Sequence, residues 1–357
     1  MMRTTRRNLL LTPAAVALAP AARAQDPLSR PGAWLPKLSE NLSDVQPSTL
    51  RWLSQLGCKH VVFQGTDRVD QEKKGYWSTA DVLRIKKSCD DAGLLLESMM
   101  LPIGSYRQAQ LGRPGRDQEI ENACRTIRAA GEAGLPMMEW RFWPDFYWDQ
   151  RVGYYNLDGR GGARMRGFEY ARVKDAPPPE EIGAVSQDEM WERLRYFARP
   201  VIEAAGKAGV RLSIHPSDPP VANMRGVARL FHNPDTFARF LREFPSPASG
   251  ITFCQGTFTE MGADVLEEIR RFGRMQKIFL VHLRGVKGKV PNYVEVFIDQ
   301  GDVNMVQAMR TYKEVGYTGP LVSDHTPGLE GDNSWGMAGR SFSLGYIRAL
   351  VQSVNTP

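Results

Sequence analysis

Apolar positions along the chain follow two alternating rhythms. Short apolar runs occupy 33–38, 60–64, 94–98, 136–141, 210–215, 250–254, 277–283 and 319–324. Runs of this length, bounded by turn residues, read as buried strands. Between most of them apolar residues recur every three or four positions, over 79–92, 117–133, 189–208, 233–243, 262–272 and 304–315. That spacing is the helical period. Three of the helical stretches run into Gly93, Gly134 and Gly209, and an apolar run follows each. Glycine accepts the left-handed backbone that closes a helix, so helix, glycine, strand is the pattern of a short αβ loop. Eight alternations predict an α/β fold, a (β/α)8 TIM barrel forming one domain over 25–357. A doubly wound open sheet is the competitor, and no G-x-G-x-x-G follows the first strand to support it.

One interval breaks the rhythm. Residues from about 142 to 188 are too many for a plain loop, and WRFWPDFYWDQRVGYY (140–155) is crowded with aromatic rings. Long insertions after a barrel strand lie over the active-site mouth. The insertion is expected to cover that mouth, with its rings either stacking on sugars or packing the segment onto the barrel.

The N-terminus reads differently again. Residues 1–24 combine a basic start, an apolar stretch over 9–19 and Ala22-Arg23-Ala24, an A-x-A cleavage pattern. That is a signal peptide, too short to anchor in a membrane. Arg6-Arg7 within TRRNLL points to twin-arginine export of a folded protein, and hence to the periplasm. An ordinary secretory signal is the plainer alternative.

The chain carries a net charge of +6, but Arg3, Arg6, Arg7 and Arg23 lie in this segment, so the remainder is only +2. That balance gives no support for a nucleic-acid surface. No other stretch is long and apolar enough to span a membrane. Hydrophobic residues at 42% and charged residues at 24% suit a soluble globular domain. Cys58, Cys89 and Cys124 fall inside helical or strand patterns and read as buried thiols.

The remaining cysteine, Cys254, ends a strand. In a barrel, chemistry collects at the carboxyl ends of strands. Those ends here carry Glu97, Glu139, His215, Cys254, His282 and Asp324. Two imidazoles, a thiol and a carboxylate, each closing its own strand, form a mixed donor set for a divalent metal. Mn, Fe, Zn and Co all suit it. The rigid turn after His215, P-S-D-P-P (216–220), holds that ligand still, with Asp218 placed to orient it or a neighbour. Glu97 or Glu139 would act as the base if desolvated. Arg284 or Arg229 would grip a substrate carboxylate through the two-pronged guanidinium. His325 is expected to point away from the axis if its strand continues.

Several motifs then resemble the mannonate dehydratases. They are GYW (75–77), ES (97–98), GRDQEIENACRTIR (115–128), IHPSDPP (214–220), GITFCQGT (250–257), VHLRGV (281–286), EVFIDQGDVNM (295–305) and DH (324–325). The resemblance covers much of 75–348. It implies a metal-dependent barrel of the xylose-isomerase-like superfamily, with manganese the usual metal and ligands matching His215, Cys254, His282 and Asp324. It implies a carbon–oxygen lyase that removes water from a sugar acid through a metal-stabilised enediolate, with Glu295, His325 and Trp335 around the substrate. The chain departs from the family pattern at Val322-Ser323, where the family has Arg-Pro. It departs again at Trp335, nearest to a family tyrosine, and at Ile298, where the family has histidine. Two alternatives stay open: a metal-dependent sugar isomerase or epimerase, and a periplasmic sugar-binding or vestigial protein without catalysis. Assembly into a homo-oligomer also stays open.

Overall fold

The structure is a computed structural model that describes Leu28 and residues 31–65, 74–143 and 152–356. The expected signal segment lies outside the described residues, as does 144–151 of the aromatic stretch.

Eight parallel strands close into a barrel: β1 (Lys37–Leu42), β2 (His60–Phe63), β3 (Leu95–Met100), β4 (Met137–Trp140), β5 (Arg211–Ile214), β6 (Ser249–Cys254), β7 (Ile278–Leu283) and β8 (Pro320–Ser323). Each pairs with its sequence neighbours, and β8 closes on β1. A helix follows each strand: α1 (Pro47–Gln55), α2 (Thr79–Asp91), α3 (Arg116–Glu132), α4 (Gln187–Ala208), α5 (Pro234–Glu243), α6 (Val265–Arg274), α7 (Met305–Glu314) and α8 (Met337–Val354). The predicted TIM barrel is therefore the observed fold.

Local chemistry sets the helix limits. Ser78 and Asp81 make reciprocal cap bonds at the start of α2, and Ser186 and Glu189 do the same for α4. Gly93, Gly134 and Gly209 all have φ near +70°, closing α2, α3 and α4 as the sequence pattern implied. The predicted 262–272 helix is observed as α6, shifted to start after the Asp264 side chain that caps it, and a short helix, Gln255–Glu260, precedes it.

Two strands differ from expectation in ways that move functional groups. The first apolar run, 33–38, contains Pro36, which has no N–H for a ladder. The strand starts after it, at Lys37, and so carries Glu40 and Asn41 towards the rim. In β3 the ladder with β2 pairs Val61 with Leu96 and Val62 with Ser98, so it skips Glu97. The strand also continues to Met100, so Glu97 is its third residue and lies away from the barrel mouth.

Along each strand alternate side chains face the axis. Val62, Met137, Phe279, Leu280 and Val322 form a small buried apolar cluster of their own. Leu280 and Val322 stand two residues before His282 and Asp324, so this cluster floors the site. The opposite faces pack under the helices in the main core.

The insertion contributes an antiparallel hairpin, Tyr154–Asp158 and Arg164–Glu169. It joins a second hairpin after β7, Gly285–Lys289 and Asn292–Val296, in a four-stranded sheet at the mouth. The second hairpin was not anticipated, because its lysine-rich first strand lacks an apolar face until the insertion pairs with its partner. Of the aromatic stretch, Trp140 and Phe142 pack against Phe197 in the core, whereas Tyr154 belongs to the sheet. Among the described residues no helix is long and apolar enough to cross a membrane.

Glu40 is buried, accepts from Arg340 at 2.7 Å, and takes a short hydrogen bond from Ser323. Burial pushes its carboxyl up to about 7, outweighing the opposing pull of Arg340 and Ser323. The folded chain thus holds this proton more tightly than the unfolded chain, where the group titrates near 4.5. Its contribution to stability is complete below that value and is lost as pH rises through 7, a change on the order of 3 kcal/mol. Denaturant unfolding of wild type and Glu40→Gln at pH 5 and pH 8 should show the variant gaining about that much at the higher pH. Parallel pH dependence in the two proteins would show that Glu40 stays charged in the fold.

Candidate metal centre and active-site mouth

Three donors converge because of strand register. Cys254 lies opposite His282 in the β6–β7 ladder, and His215 follows β5, the next strand round. Ligand atoms of His215, Cys254 and His282 all fall within 4.8 Å of one another, and all three residues are buried. Asp324, just beyond β8, completes the set. Its Oδ2 accepts from the Cys254 thiol at 3.3 Å, and its Oδ1 lies 3.9 Å from His282 Nδ1.

The protonation states of His215, His282 and Asp324 fit a cation at this point, and Cys254 would bind one on losing its proton. Burial, reinforced by Arg141 and His282, holds His215 well below the ordinary imidazole range, so it is neutral with a lone pair to offer. Its Nδ1 lies 2.8 Å from the Pro216 carbonyl. A carbonyl can only accept, so Nδ1 carries the proton and Nε2 keeps the lone pair. Burial also lowers His282, although Glu139 and Asp324 oppose it. Both ring nitrogens of His282 are buried without a hydrogen-bond partner, a costly state that a bound cation would relieve. Burial raises the Cys254 thiol well above its usual range, with Asp324 adding to the effect. At Asp324 burial works upward, yet His325 and Arg284 prevail and hold the carboxyl well below the usual range.

Beside these donors sits the fully buried guanidinium of Arg284. It contacts Asp218 at 2.8 Å, Glu260 at 3.0 Å and Asp324 at 3.2 Å, and makes a short contact with Glu295. Glu295 is gripped from its other side by Arg166, at 3.1 Å and 2.7 Å, in a two-pronged pair. Arg284 is therefore saturated by carboxylates, and the expected fork for a substrate is instead the charge at the centre of the mouth. Glu260 ends the short helix after β6. Burial outweighs Arg284 and raises its carboxyl well above the usual range, so it is held protonated.

A cavity of about 340 Å³ opens above the donors. His215, Asp218, Asp324 and His325 line it from the barrel, Tyr154 and Arg166 from the insertion. Arg229, Trp335 and Arg340 complete its rim. The indole of Trp335 lies under the Arg340 guanidinium at 4.4 Å and donates to the Asn41 carbonyl at 3.2 Å. Arg229 donates to the Asp218 carbonyl at 3.1 Å, bracing the turn as well as lining the cavity. Tyr154 donates to Asp218 Oδ1 at 3.0 Å.

The structure thus gathers Asp218, Arg229, Glu295, Trp335 and His325 around the four proposed donors. Glu139 lies beneath them, 3.7 Å from His282, and accepts from Gln64 at 3.1 Å. Glu97 is not among them. It pairs with Lys37 and His60, each at 2.7 Å, and these are the first residues of β1 and β2. It stands at the opposite end of the barrel from the mouth and has no part in this site. His325 does turn into the mouth, because β8 stops at Ser323 and strand alternation no longer applies. Its Nδ1 lies 2.6 Å from Arg284 and 2.7 Å from Arg166. Val322 belongs to the apolar floor. Arg166, Glu260, Glu40 and Arg340 were missed by sequence reasoning, and Tyr154 was seen only as one ring of the aromatic stretch.

A family model for D-mannonate dehydratase (UxuA) matches residues 42–185 and 179–357. Mannonate dehydratase 2 of Halalkalibacterium halodurans is 27% identical over 309 residues, covering 79% of this chain and 89% of that one. The mannonate dehydratase of Thermotoga maritima is also 27% identical, covering 78% and 87%. The crystal structure of mannonate dehydratase from Streptococcus suis serotype 2 superposes with a TM-score of 0.80 at 25% identity, over 90% of this chain and 95% of that one. An L-ribulose 3-epimerase, at 15% identity and a TM-score of 0.58, shares the fold.

The charge arrangement generates its own test. Arg284→Met would leave Asp218, Glu295 and Asp324 without their common cation, and the protonated Glu260 without its neighbour. Removing one partner of a buried ion pair costs about 3–5 kcal/mol. Denaturant unfolding should show a loss of that size at pH 8 and a smaller one at pH 5, where carboxylates take up protons. A loss under about 1 kcal/mol at pH 8, the value of an exposed pair, would show that the cluster is hydrated rather than dry.

Proposed function

The chain belongs to the D-mannonate dehydratase family, and from that premise we propose that it eliminates water from a sugar acid bound on a divalent metal at the barrel mouth. It is a carbon–oxygen lyase, a sugar-acid dehydratase. The observation that carries the metal reading is the meeting of His215, Cys254 and His282, with neither ring nitrogen of buried His282 in a hydrogen bond. These three residues and Asp324 would hold the cation. When bound, it supplies Lewis acidity that stabilises the charge formed as the proton α to a carboxylate leaves.

This chain's own residues do the rest. The Pro216 carbonyl fixes the His215 tautomer. Arg284 clamps Asp218 and Asp324 in place. Arg229 and Arg340 bring positive charge to the cavity wall, where a sugar-acid carboxylate would lie. The insertion sheet narrows the mouth and limits water. Manganese is the metal that the family resemblance favours, although the donor set also suits iron, cobalt and zinc. D-mannonate is the substrate to try first.

Elemental analysis of the purified protein should find near one equivalent of divalent metal, with Cys254→Ala and His282→Ala each losing most of it. Full occupancy in both variants would remove these residues from the ligand set. Incubated with D-mannonate, the loaded protein should form a product lighter by one water. A product of unchanged mass would move the reading to an isomerase. Metal bound without turnover of any sugar acid would move it to a binding protein.

The same reading includes export, supported by the Arg6-Arg7 segment. Cell fractionation should find the protein in the periplasm, and replacing both arginines by lysine should retain it in the cytoplasm. Periplasmic recovery of that variant would leave an ordinary secretory signal as the better description.

A further inference from the structure

We propose that Tyr154 and Asp218 form a proton-transfer pair: Asp218 accepts the proton from C2 of the sugar acid, and Tyr154 donates the proton that turns the C3 hydroxyl into water. The inference rests on the dehydratase reading above and assigns its proton-handling groups.

Both residues line the cavity beside His215 and Asp324. They come from different parts of the chain, Tyr154 from the first strand of the insertion and Asp218 from the turn after β5. The phenol donates to Asp218 Oδ1 at 3.0 Å. Arg284 holds the other carboxylate oxygen at 2.8 Å, which fixes the plane of the group and leaves Oδ1 for proton exchange. Burial, with Asp218 adding to it, keeps the Tyr154 phenol protonated at neutral pH, as a donor must be. The Arg166 guanidinium lies 4.6 Å from the ring centre, and the Tyr293 hydroxyl lies 3.1 Å from the phenol oxygen. Both are placed to stabilise a phenolate as it forms. His325 is less suited to the role, because N–H groups of Arg166 and Arg284 crowd its Nδ1.

The step balances without an outside reagent. The C2–H bond breaks and its proton passes to Asp218 Oδ1, while its electron pair becomes the C2–C3 double bond. The C3–O bond breaks, its electrons leave with oxygen, and the Tyr154 proton completes a water molecule. The proton on Asp218 then crosses the hydrogen bond to the phenolate and restores the pair. The enol released tautomerises to a 2-keto-3-deoxy acid. Because acceptor and donor touch each other, both transfers occur on one face of the substrate.

The test uses the metal-loaded full chain with two probes, D-mannonate and its 3-deoxy-3-fluoro analogue. Fluoride leaves without a proton, so the analogue needs the acceptor and not the donor. Tyr154→Phe should lose at least about 100-fold in kcat on D-mannonate, the typical worth of a general acid. Its KM should stay within about threefold, and fluoride release should fall less than about tenfold. Asp218→Asn should lose at least about 100-fold on both probes. Metal content and circular dichroism should match wild type in both variants. Equal losses on the two probes in Tyr154→Phe would make Tyr154 a positioning residue and overturn the proposal, as would near-normal dehydration of D-mannonate. Fluoride release surviving in Asp218→Asn would remove Asp218 as the acceptor. Wild type inactive on D-mannonate but active in releasing fluoride would also overturn the donor assignment. Inactivity on both probes would instead sink the dehydratase reading beneath it.

Discussion

One buried positive charge organises this mouth. Arg284, just past β7, is surrounded by carboxyl groups from four separate elements: Asp218 after β5, Glu260 after β6, Glu295 on the second hairpin, and Asp324 after β8. Buried ions are tolerated only when they are paired and hydrogen-bonded. Each of these elements must therefore close on the same point together. The constraint couples the barrel to the sheet above it, since Arg166 on the insertion grips Glu295 from the far side. It also reaches the metal donors, because Asp324 Oδ2 faces both Arg284 and Cys254.

Around that charge the site divides by rigidity. The candidate metal donors stand on or directly after barrel strands, whose neighbours and apolar floor leave little freedom. The other charged and phenolic groups lining the cavity come from the turn after β5, the insertion and the start of α8. Fixed donors on rigid elements and adaptable contacts on connections is the arrangement through which barrels vary their chemistry. Val322 and Trp335 belong to this logic. Neither side chain moves a proton at neutral pH, and the structure brings a phenol into the same cavity from an unrelated stretch of chain.

The strands, the helices and the gathering of His215, Cys254, His282 and Asp324 at one end of the barrel were legible in the sequence because each depends on local rules. Apolar runs, glycine helix ends and serine caps act over a few residues. A donor at the last inward position of a strand is placed by the two-residue alternation alone. The reading failed where a local rule was interrupted. Pro36 displaced the first strand and hid Glu40. The third strand ran on to Met100, which left Glu97 near its start, at the opposite end of the barrel from the mouth. The end of β8 freed His325 to turn inward.

The amino-acid sequence by itself thus determined the barrel, its order and which side chains close its strands, because strand period, register and motif are carried by neighbouring residues. Only the tertiary structure decided what the mouth does with charge. It showed Arg284 to be occupied by carboxylates rather than open to substrate. It also brought Tyr154 and Asp218, 64 positions apart, within 3.0 Å. The physical reason is that burial and electrostatic pairing depend on which groups share a dry volume. Pattern along the chain has no access to that until the insertion folds over the barrel.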